Sequence, residues 1–507
     1  LRSLSGPVQV RGQPDGGRWI DTEAHAVLLM RYRCLVHRLC WAAGADLYCL
    51  ARGSAVTRYA EIAELLRARL RAGELAVGAR LPGVRRLAHQ FGVSVSTVVA
   101  ALQRLEDEGW VEARPRSGFY VRPRRAEGPR LPRSAPPPAP SAVTSQGITM
   151  EIVRSSGRRG VLQLGTAVPE ASFLPLDAVQ RALAAATRRH RRDAMAYAFP
   201  PGAAALREIV AEGLAEGGCR PDPDEVLVTA GTQEATQLAL RVLTRPGDVV
   251  AVESPTYYGL LQVIESLGLE ALEIPTDPSR GIDLQALARA LDQWPIRALA
   301  LVPHCSNPTG YVMADADRRA LVELCAARGV PIIEDDVYAD LAVEADGSGL
   351  RPRALRAVDR EQVFLCGSAS KTVAPGLRVG WLVAPERFRE RLEYLKYAGS
   401  LSASPLAQYA LAELLGNRGI ARHLRRVRDR YAERVARMRE RMLAALPAGT
   451  VVSDPAGGFV LWAQMPADVD AIALYRVAAE EGVVIAPGPI FSASGRYEHC
   501  LRINLAI

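Results

Sequence analysis

The sequence predicts a multidomain protein, in which a small and mostly helical domain precedes a large α/β domain with a mostly parallel sheet. The chain of 507 residues is longer than one hydrophobic core usually serves, and 49% of its residues are hydrophobic. From about Ile148 to Ile507, helical segments such as 203–217 and 316–328 alternate with short apolar strands. This alternation is typical of strands that helices cover on both faces.

The composition favours an intracellular protein with a polyanionic partner. Residues 51–130 contain fifteen arginines and eight acidic residues, so they carry nearly all of the net charge of +8. Such a basic stretch indicates nucleic acid, although a solvated charged surface would have the same composition. No run of eighteen apolar residues predicts a membrane span, and the arginines inside 24–50 argue against a signal peptide. Eight cysteines without a CxxC pair indicate reduced thiols and a cytoplasmic location.

The first ordered domain is expected at residues 51–122. Residues 1–50 form an extension to which we assign no function, although 24–43 could be a helix. After it, apolar spacing and glycine stops predict three helices and two short strands. Ser94 is the expected cap of the third helix. These elements together predict a winged helix-turn-helix, at 57–73, 84–92, 94–109, 110–113 and 118–121.

This stretch resembles the GntR family of bacterial regulators over about 65 residues. The resemblance depends on Leu81-Pro82-Gly83-Val84-Arg85-Arg86-Leu87-Ala88, Phe91-Gly92-Val93-Ser94, Thr97-Val98 and the glycine of the wing. It implies DNA contacts from the second helix, the start of the third and the wing, through Arg85, Ser94, Ser96, Thr97, Arg114, Arg116 and Gly118. Val95 and Val99 stand where family members often carry arginine, and valines can contact thymine methyl groups. A winged helix that binds protein instead of DNA is the alternative.

Residues 123–147 are predicted to be a linker. They contain several arginines and the run Ser134-Ala135-Pro136-Pro137-Pro138-Ala139-Pro140, without any apolar period. Prolines favour an extended, semi-rigid backbone. The arginines could add contacts to DNA phosphates, but a solvated connection between two folded domains is the simpler expectation.

Lys371 is the residue around which the large domain, 148–507, is interpreted. It is one of only two lysines in the chain, and the other is Lys396. A primary amine of lowered pKa can form a Schiff base with pyridoxal phosphate, whereas a guanidinium cannot. Nearby hydroxyls and Arg378 could bind a phosphate. The alternative is an ordinary surface lysine in a polar turn.

Polar groups follow the predicted strands at their C-terminal ends, where open α/β sheets bind ligands. Five segments follow the strands in this way: Ala230-Gly231-Thr232-Gln233, Pro255-Thr256-Tyr257, Ser306-Asn307-Pro308-Thr309-Gly310, Glu334-Asp335-Asp336-Val337-Tyr338, and Ser368 to Lys371. Each is weak alone, but all five in this order resemble the fold-type I aminotransferases of class I and II. That resemblance covers about 350 residues and implies a smaller C-terminal α+β subdomain.

The resemblance implies a role for each matching residue. Lys371 binds pyridoxal phosphate covalently, and Asp335 pairs with the pyridine nitrogen because it lies three residues before the tyrosine, although Asp336 is adjacent. Asn307 and Tyr338 bind the phenolic oxygen, and Tyr257 stacks on the ring. Phosphate contacts come from Gly231, Thr232, Gln233, Ser368, Ser370 and Arg378.

Two further matches concern the substrate and the partner subunit. Arg502 matches the arginine that binds a substrate α-carboxylate, and Tyr197 matches a tyrosine that reaches the phosphate of the other subunit, which implies a head-to-tail homodimer. Ala167 stands where the family usually has glycine, two residues before Pro169, so this side of the carboxylate pocket is expected to differ.

The two resemblances in this order are similar to the MocR subfamily of regulators. The resemblance implies a transcriptional regulator that senses an amino-group effector through pyridoxal phosphate and binds an operator in double-stranded DNA. Two alternatives stay open from the sequence. One is a working aminotransferase with an appended winged helix, and the other is a DNA-binding scaffold without a cofactor.

Overall fold

A computed structural model describes residues 58–71, 79–107, 110–114, 118–121, 131–143, 146–155, 160–342, 351–417 and 419–507. The N-terminal extension and the helix predicted at 24–43 lie outside these ranges. Within them, no helix is long and apolar enough to cross a membrane.

The N-terminal domain is the predicted winged helix-turn-helix. Its elements are α1 (Arg58–Arg71), α2 (Val84–Phe91), α3 (Val95–Asp107), β1 (Val111–Arg114) and β2 (Gly118–Val121). Leu87, Leu102 and Leu105 are fully buried between the helices. Ser94 caps α3 as expected, because its Oγ accepts from the Thr97 amide at 3.2 Å. The strands pair antiparallel, with Val111 opposite Val121.

The wing has a third backbone segment that the sequence did not predict. Arg80 forms an antiparallel bridge with Tyr120. The Leu81 amide donates to Phe119 O at 2.8 Å, and the Val121 amide donates to Ala79 O at 2.9 Å. The chain before α2 therefore fastens the wing to the helices.

The large domain has a central eight-stranded sheet, and the predicted mostly parallel arrangement is confirmed. Its strands are β4 (Val226–Thr229), β5 (Val249–Ser254), β6 (Glu270–Asp277), β7 (Gly281–Ile282), β8 (Ile296–Leu301), β9 (Ile332–Asp335), β10 (Val363–Ser368) and β11 (Gly380–Val383). Their order is β4-β11-β10-β9-β8-β5-β6-β7. Every residue of β4, β5 and β10 is buried, which explains their continuous apolar sequences.

In the chain, helices precede, join and follow the strands of this sheet. They are α4 (Gln146–Ser155), α5 (Leu176–Arg189), α6 (Ala204–Leu214), α7 (Thr232–Leu243), α8 (Tyr258–Ser266), α9 (Leu284–Gln293), α10 (Asp315–Ala326), α11 (Arg389–Ser400) and α12 (Pro405–Leu415). Only β7 and β11 run antiparallel to their neighbours. Because β11 is antiparallel to both β10 and β4, β4 points the same way as β10 and ends at the same edge of the sheet.

A smaller α+β subdomain completes the chain, as the resemblance implied. The helix α13 (Gly419–Ala445) leads into a sheet of order β12-β13-β16-β15. Its members are β12 (Val451–Val452), β13 (Val460–Gln464), β15 (Ala486–Pro487) and β16 (Cys500–Asn504), with α14 (Ala471–Glu480) between β13 and β14 (Val483–Val484). Strand β14 pairs instead with β3 (Leu162–Gln163), so the start of the large domain is part of the subdomain.

The described part of the predicted linker is not a solvated connection. Ser141 exchanges two backbone hydrogen bonds with Ala271 of β6, at 2.9 and 3.0 Å. Ser134 donates its amide to Thr276 O at 3.1 Å and accepts from the Thr276 amide through Oγ at 2.7 Å. Val143 is buried in the core of the large domain. Residues 131–143 contain no helix, and serines at two positions supply donors by which they dock on the sheet.

Candidate functional site

The predicted site residues converge because parallel neighbouring strands end at one edge of the sheet. Strands β10, β9, β8 and β5 are parallel in register, and β4 ends at the same edge. The loops and helix starts after these strands carry the five predicted segments.

Lys371 lies in the centre of this edge and is half-buried. Its Nζ donates to Ala167 O at 2.7 Å and lies 5.8 Å from the centre of the Tyr338 ring. Burial and the nearby cations Arg502 and Arg378 together lower the pKa of the Lys371 amine to about 8, against the opposing effect of Asp335. An amine of this pKa is partly neutral near physiological pH and can act as a nucleophile.

The adjacent carboxylates Asp335 and Asp336 have different surroundings. Burial raises the pKa of Asp335 to about 7, while the Val337 amide, at 3.2 Å, and Lys371 oppose that shift. Asp336 instead accepts from Arg351 Nη2 at 2.5 Å and lies 2.8 Å from His304 Nδ1. Although burial opposes them, Arg351 and His304 hold the pKa of Asp336 below its usual value. Asp336 is thus occupied by an internal ion pair, which favours Asp335 as the pyridine partner.

The turn between β4 and α7 has the form of a phosphate cradle. Gly231 has φ +93°, and a Cβ there would lie 2.6 Å from Arg378 Nη2. Arg378 Nη2 donates to Ala230 O at 2.9 Å. Thr232, the first residue of α7, keeps a buried Oγ1 without a hydrogen-bond partner among the described residues. An unpaired hydroxyl at a helix N-terminus suits an anionic oxygen, so these residues fit a phosphate.

The remaining predicted phosphate contacts lie beside this turn. Ser368 Oγ donates to Ser370 Oγ at 2.7 Å and accepts from the Ser370 amide at 2.9 Å. Gln233 Nε2 donates to Gly259 O at 2.7 Å. The Gln233 side chain therefore fastens the turn to the start of α8, next to Tyr257.

Arg502 is fully buried and already in contact with another predicted site residue. Its Nη1 donates to Asn307 Oδ1 at 3.1 Å, and its Nη2 donates to Gly165 O. Its Nε has no hydrogen-bond partner among the described residues. The Phe491 ring lies 5.3 Å from the guanidinium. The sequence predicted Asn307 and Arg502 separately, and no local pattern indicated that they bond to each other or that Gly165 and Ala167 supply carbonyl groups.

Tyr197, the residue predicted to reach the other subunit, is exposed on the surface of the single chain. Its side chain is 68% exposed and stacks on Phe199, with ring centres 5.4 Å apart. Phe199 in turn packs against Tyr397 of α11 at 6.0 Å. These rings form an aromatic patch, defined as Tyr197, Phe199 and Tyr397, on the surface of the large domain.

Several of the predicted DNA contacts are exposed on the described part of the winged helix. Arg85 and Ser96 are exposed, and Ser94 Oγ lies 2.8 Å from Ser96 Oγ and 2.7 Å from Thr97 Oγ1. Val95, 48% exposed, stands among these hydroxyls. Gly118 begins β2 with φ +107°, Arg114 ends β1, and Arg116 lies outside the described residues.

Comparisons with known proteins match both parts of the chain. Residues 161–507 match the family described as aminotransferase class I and II, and residues 58–121 match the family described as bacterial regulatory proteins, gntR family. The uncharacterized HTH-type transcriptional regulator YjiR of Escherichia coli is 38% identical over 89% of this chain and 95% of its own length. The 2-aminoadipate transaminase of Thermus thermophilus is 33% identical over 70% of this chain and 88% of its own.

A solved structure agrees with the large domain. The α-aminoadipate aminotransferase LysN of Thermus thermophilus, complexed with N-(5'-phosphopyridoxyl)-L-leucine, superposes with a TM-score of 0.65 at 31% identity. The superposition covers 71% of this chain and 90% of that one.

Proposed function

The chain belongs to the class I and II aminotransferase family and carries a gntR-family DNA-binding domain, and we propose from this premise that it is a pyridoxal-phosphate-dependent transcriptional regulator. An amino-group effector binds in the large domain and changes how the winged helix binds its operator. We take 51–122 as the DNA-binding domain and 148–507 as the sensor. A regulator that acts on bacterial DNA works in the cytoplasm.

One observation carries the proposal: the same chain has an amine of lowered pKa beside residues that fit a phosphate, and a gntR-family domain with exposed side chains at the start of α3. When bound, pyridoxal phosphate supplies an aldehyde that condenses with primary amines and a ring that accepts electrons. Thr232, Arg378, Ser368 and Ser370 would hold its phosphate. Lys371 would hold it covalently and exchange a proton at Nζ.

Arg502 gives the pocket its selectivity for carboxylate-bearing amines. A buried guanidinium binds a carboxylate by two parallel hydrogen bonds. The Asn307 and Gly165 oxygens occupy two of its nitrogens, so an effector carboxylate would bind Nε or displace one of them. Asp335, whose raised pKa leaves it near half-ionised at neutral pH, would share a proton with the pyridine nitrogen.

Dimerisation follows from the aromatic patch. Tyr197, Phe199 and Tyr397 are all more than half exposed, and contiguous exposed aromatic side chains usually mark an interface. We propose a head-to-tail homodimer in which Tyr197 reaches the phosphate of the other subunit. Two winged helices in one dimer would suit an operator with two half-sites.

A working aminotransferase is the second candidate. The 33% identity to a 2-aminoadipate transaminase and the presence of Lys371, Asp335 and Arg502 favour it. As a regulator, the protein needs only to bind an amine in order to shift between conformations, whereas as an enzyme it must release a keto acid.

In the deciding experiment, purified protein is titrated with amino acids while its absorbance spectrum is recorded. The same amino acids are then added to a DNA mobility-shift assay, which measures the affinity of the protein for DNA. We expect an amine that converts the spectrum and changes DNA affinity, with little keto acid formed. Operator DNA should change the affinity for that amine by the same factor, because coupling is reciprocal. Rapid multiple turnover, together with DNA binding that ignores every amine, would establish the aminotransferase instead.

A further inference from the structure

The second lysine of the chain is buried behind the phosphate cradle. Lys396 lies on α11 and is 1% exposed, although lysine is usually a surface residue. Its Nζ donates to Glu234 Oε2 at 2.7 Å and to Ser400 Oγ at 2.8 Å. Ser400 Oγ also lies 2.6 Å from Glu234 Oε1, so three side chains form a closed set.

Glu234 connects this set to the turn that would hold the phosphate. Besides accepting from Lys396, Glu234 Oε2 accepts from the Ala230 amide at 2.6 Å. The Ala230 carbonyl accepts a hydrogen bond from Arg378 Nη2 at 2.9 Å. Ala230 is therefore held at its N–H by Glu234 and at its C=O by Arg378, and it directly precedes Gly231 and Thr232.

The charges of this set favour a fixed geometry. Burial tends to raise the pKa of Glu234, but its bonds to Lys396, Ser400 and the Ala230 amide lower it below the usual value. Glu234 is thus an ionised acceptor, and charge-assisted bonds of this kind are short and directional. An ion pair of this depth costs desolvation energy, so it is weak as a source of stability and better suited to holding a conformation.

We propose that Lys396 and Glu234 are positioning residues for the cofactor phosphate. Lys396 does not contact the cofactor. It keeps Glu234 ionised and oriented, and Glu234 fixes the Ala230 peptide so that the Gly231 and Thr232 amides and the Thr232 hydroxyl face one anion. This proposal rests on the proposed function only in requiring that a phosphate-bearing cofactor occupies the pocket.

The test compares pyridoxal phosphate with pyridoxal, which lacks the phosphate. Both are titrated into cofactor-free Lys396→Met and wild-type protein, and binding is followed by visible absorbance. We expect Lys396→Met to weaken pyridoxal phosphate about tenfold or more, since a buried charged hydrogen-bond partner is lost, and to change pyridoxal affinity by less than about twofold. An equal loss for both compounds, or no loss for either, overturns the proposal.

Two further variants keep the test decisive if Lys396→Met folds poorly. Glu234→Gln keeps an acceptor for the Ala230 amide but removes the charge. It should also weaken pyridoxal phosphate more than pyridoxal, but by a smaller factor than Lys396→Met does. The double variant Glu234→Gln/Lys396→Met should lose about as much phosphate-dependent affinity as Lys396→Met alone, because both residues act through the same Ala230 peptide. A double variant whose loss equals the sum of the two single losses counts against the proposal.

A matched control is the buried pair of Arg356 and Glu225, which are 3.2 Å apart, because Glu225 precedes β4 and the turn follows the opposite end of that strand. Arg356→Met should affect pyridoxal phosphate and pyridoxal alike. If wild-type protein binds neither compound, the proposed function itself fails. If it binds both and no variant separates them, only the role of Lys396 fails.

Discussion

At the cofactor site the functional side chains hold one another in place, whereas on the winged helix they are presented to solvent. Lys371, Asp335 and Arg502 share carbonyl, amide and charge contacts within the chain, and burial moves the pKa of both Lys371 and Asp335 toward neutrality. Arg85, Ser94 and Ser96 are exposed, and the hydroxyls mainly bond to each other. The chemical site is thus formed before its ligand binds, while the DNA-binding face gains its partners only on DNA.

Lys371→Ala should have the largest effect, because it should abolish covalent cofactor binding and leave the winged helix unchanged. Without the amine, the purified protein should lose the visible absorbance of covalently bound cofactor, while DNA binding in the absence of effector stays within about twofold because the winged helix is unchanged. Borohydride reduction of wild-type protein followed by peptide mapping should place the cofactor on Lys371. Finding it on Lys396 would contradict the site.

Asp335→Asn tests whether the buried Asp335 carboxylate lowers the free energy of unfolding of the cofactor-free protein at neutral pH. The native carboxyl has a pKa of about 7 against 3.8 for the ordinary group, so the folded state binds more protons between these values. Stability of the cofactor-free protein should therefore fall as pH rises from about 4 to 7. Asp335→Asn should remove that fall and stabilise neutral cofactor-free protein by roughly 2–4 kcal/mol. Denaturant unfolding at several pH values measures it, and parallel wild-type and variant profiles would refute it.

Arg502→Ala sharpens the separation between the sensor and the DNA-binding domain. Removing a buried bidentate partner should weaken the effector response by about 10- to 100-fold. Effector-free operator affinity should stay the same, as measured by mobility shift with and without effector. Arg502→Lys keeps the positive charge but loses the planar guanidinium that makes two parallel hydrogen bonds. We expect it to retain only part of the effector response.

Ser141→Pro probes the segment between the two regions. Proline removes the amide that Ser141 donates to Ala271, so residues 131–143 should dock less firmly on β6. We expect the effector to change DNA affinity a few-fold less than in wild type, with cofactor absorbance retained. Ala142→Pro is the control, because both backbone hydrogen bonds to Ala271 of β6 are made by Ser141 and not by its neighbour Ala142. If the effector changes DNA affinity equally in the two variants, docking of residues 131–143 on β6 does not contribute to the effector response.

Arg85→Ala should have the smallest effect. Loss of one phosphate contact lowers the slope of log affinity against log salt by about one and weakens all DNA sequences similarly. A loss that depends on sequence would mean that Arg85 reads a guanine instead. Arg86→Ala, an exposed neighbour on the same helix, serves as the comparison.

The sequence predicted those features that repeat a local pattern. Alternating apolar strands and helices placed the segments around Gly231, Tyr257 and Lys371 at strand ends, and those strand ends do share one edge of the sheet. Glycine stops and the Ser94 cap gave the helices of the winged domain to within a few residues.

The contacts that the sequence missed join residues far apart in the chain. Ser141 bonds to Ala271, Arg502 to Asn307, and Glu234 to Lys396. No periodicity encodes such pairs, because each depends on the three-dimensional course of the chain. The linker composition even suggested the opposite, since a proline-rich segment without an apolar period is usually solvated.

The docked segment also limits how far the winged helix can travel. Leu131 packs against the hydrophobic core of the large domain, and β2 ends at Val121. The ten residue steps between them span at most roughly 35 Å at full extension, about one turn of DNA. In the proposed homodimer, two winged helices tethered this closely would reach only half-sites that lie near each other, so the protein would select for the distance between half-sites. Inserting Gly-Ser repeats after Val121 should therefore relax the accepted operator spacing without changing the bases that are read.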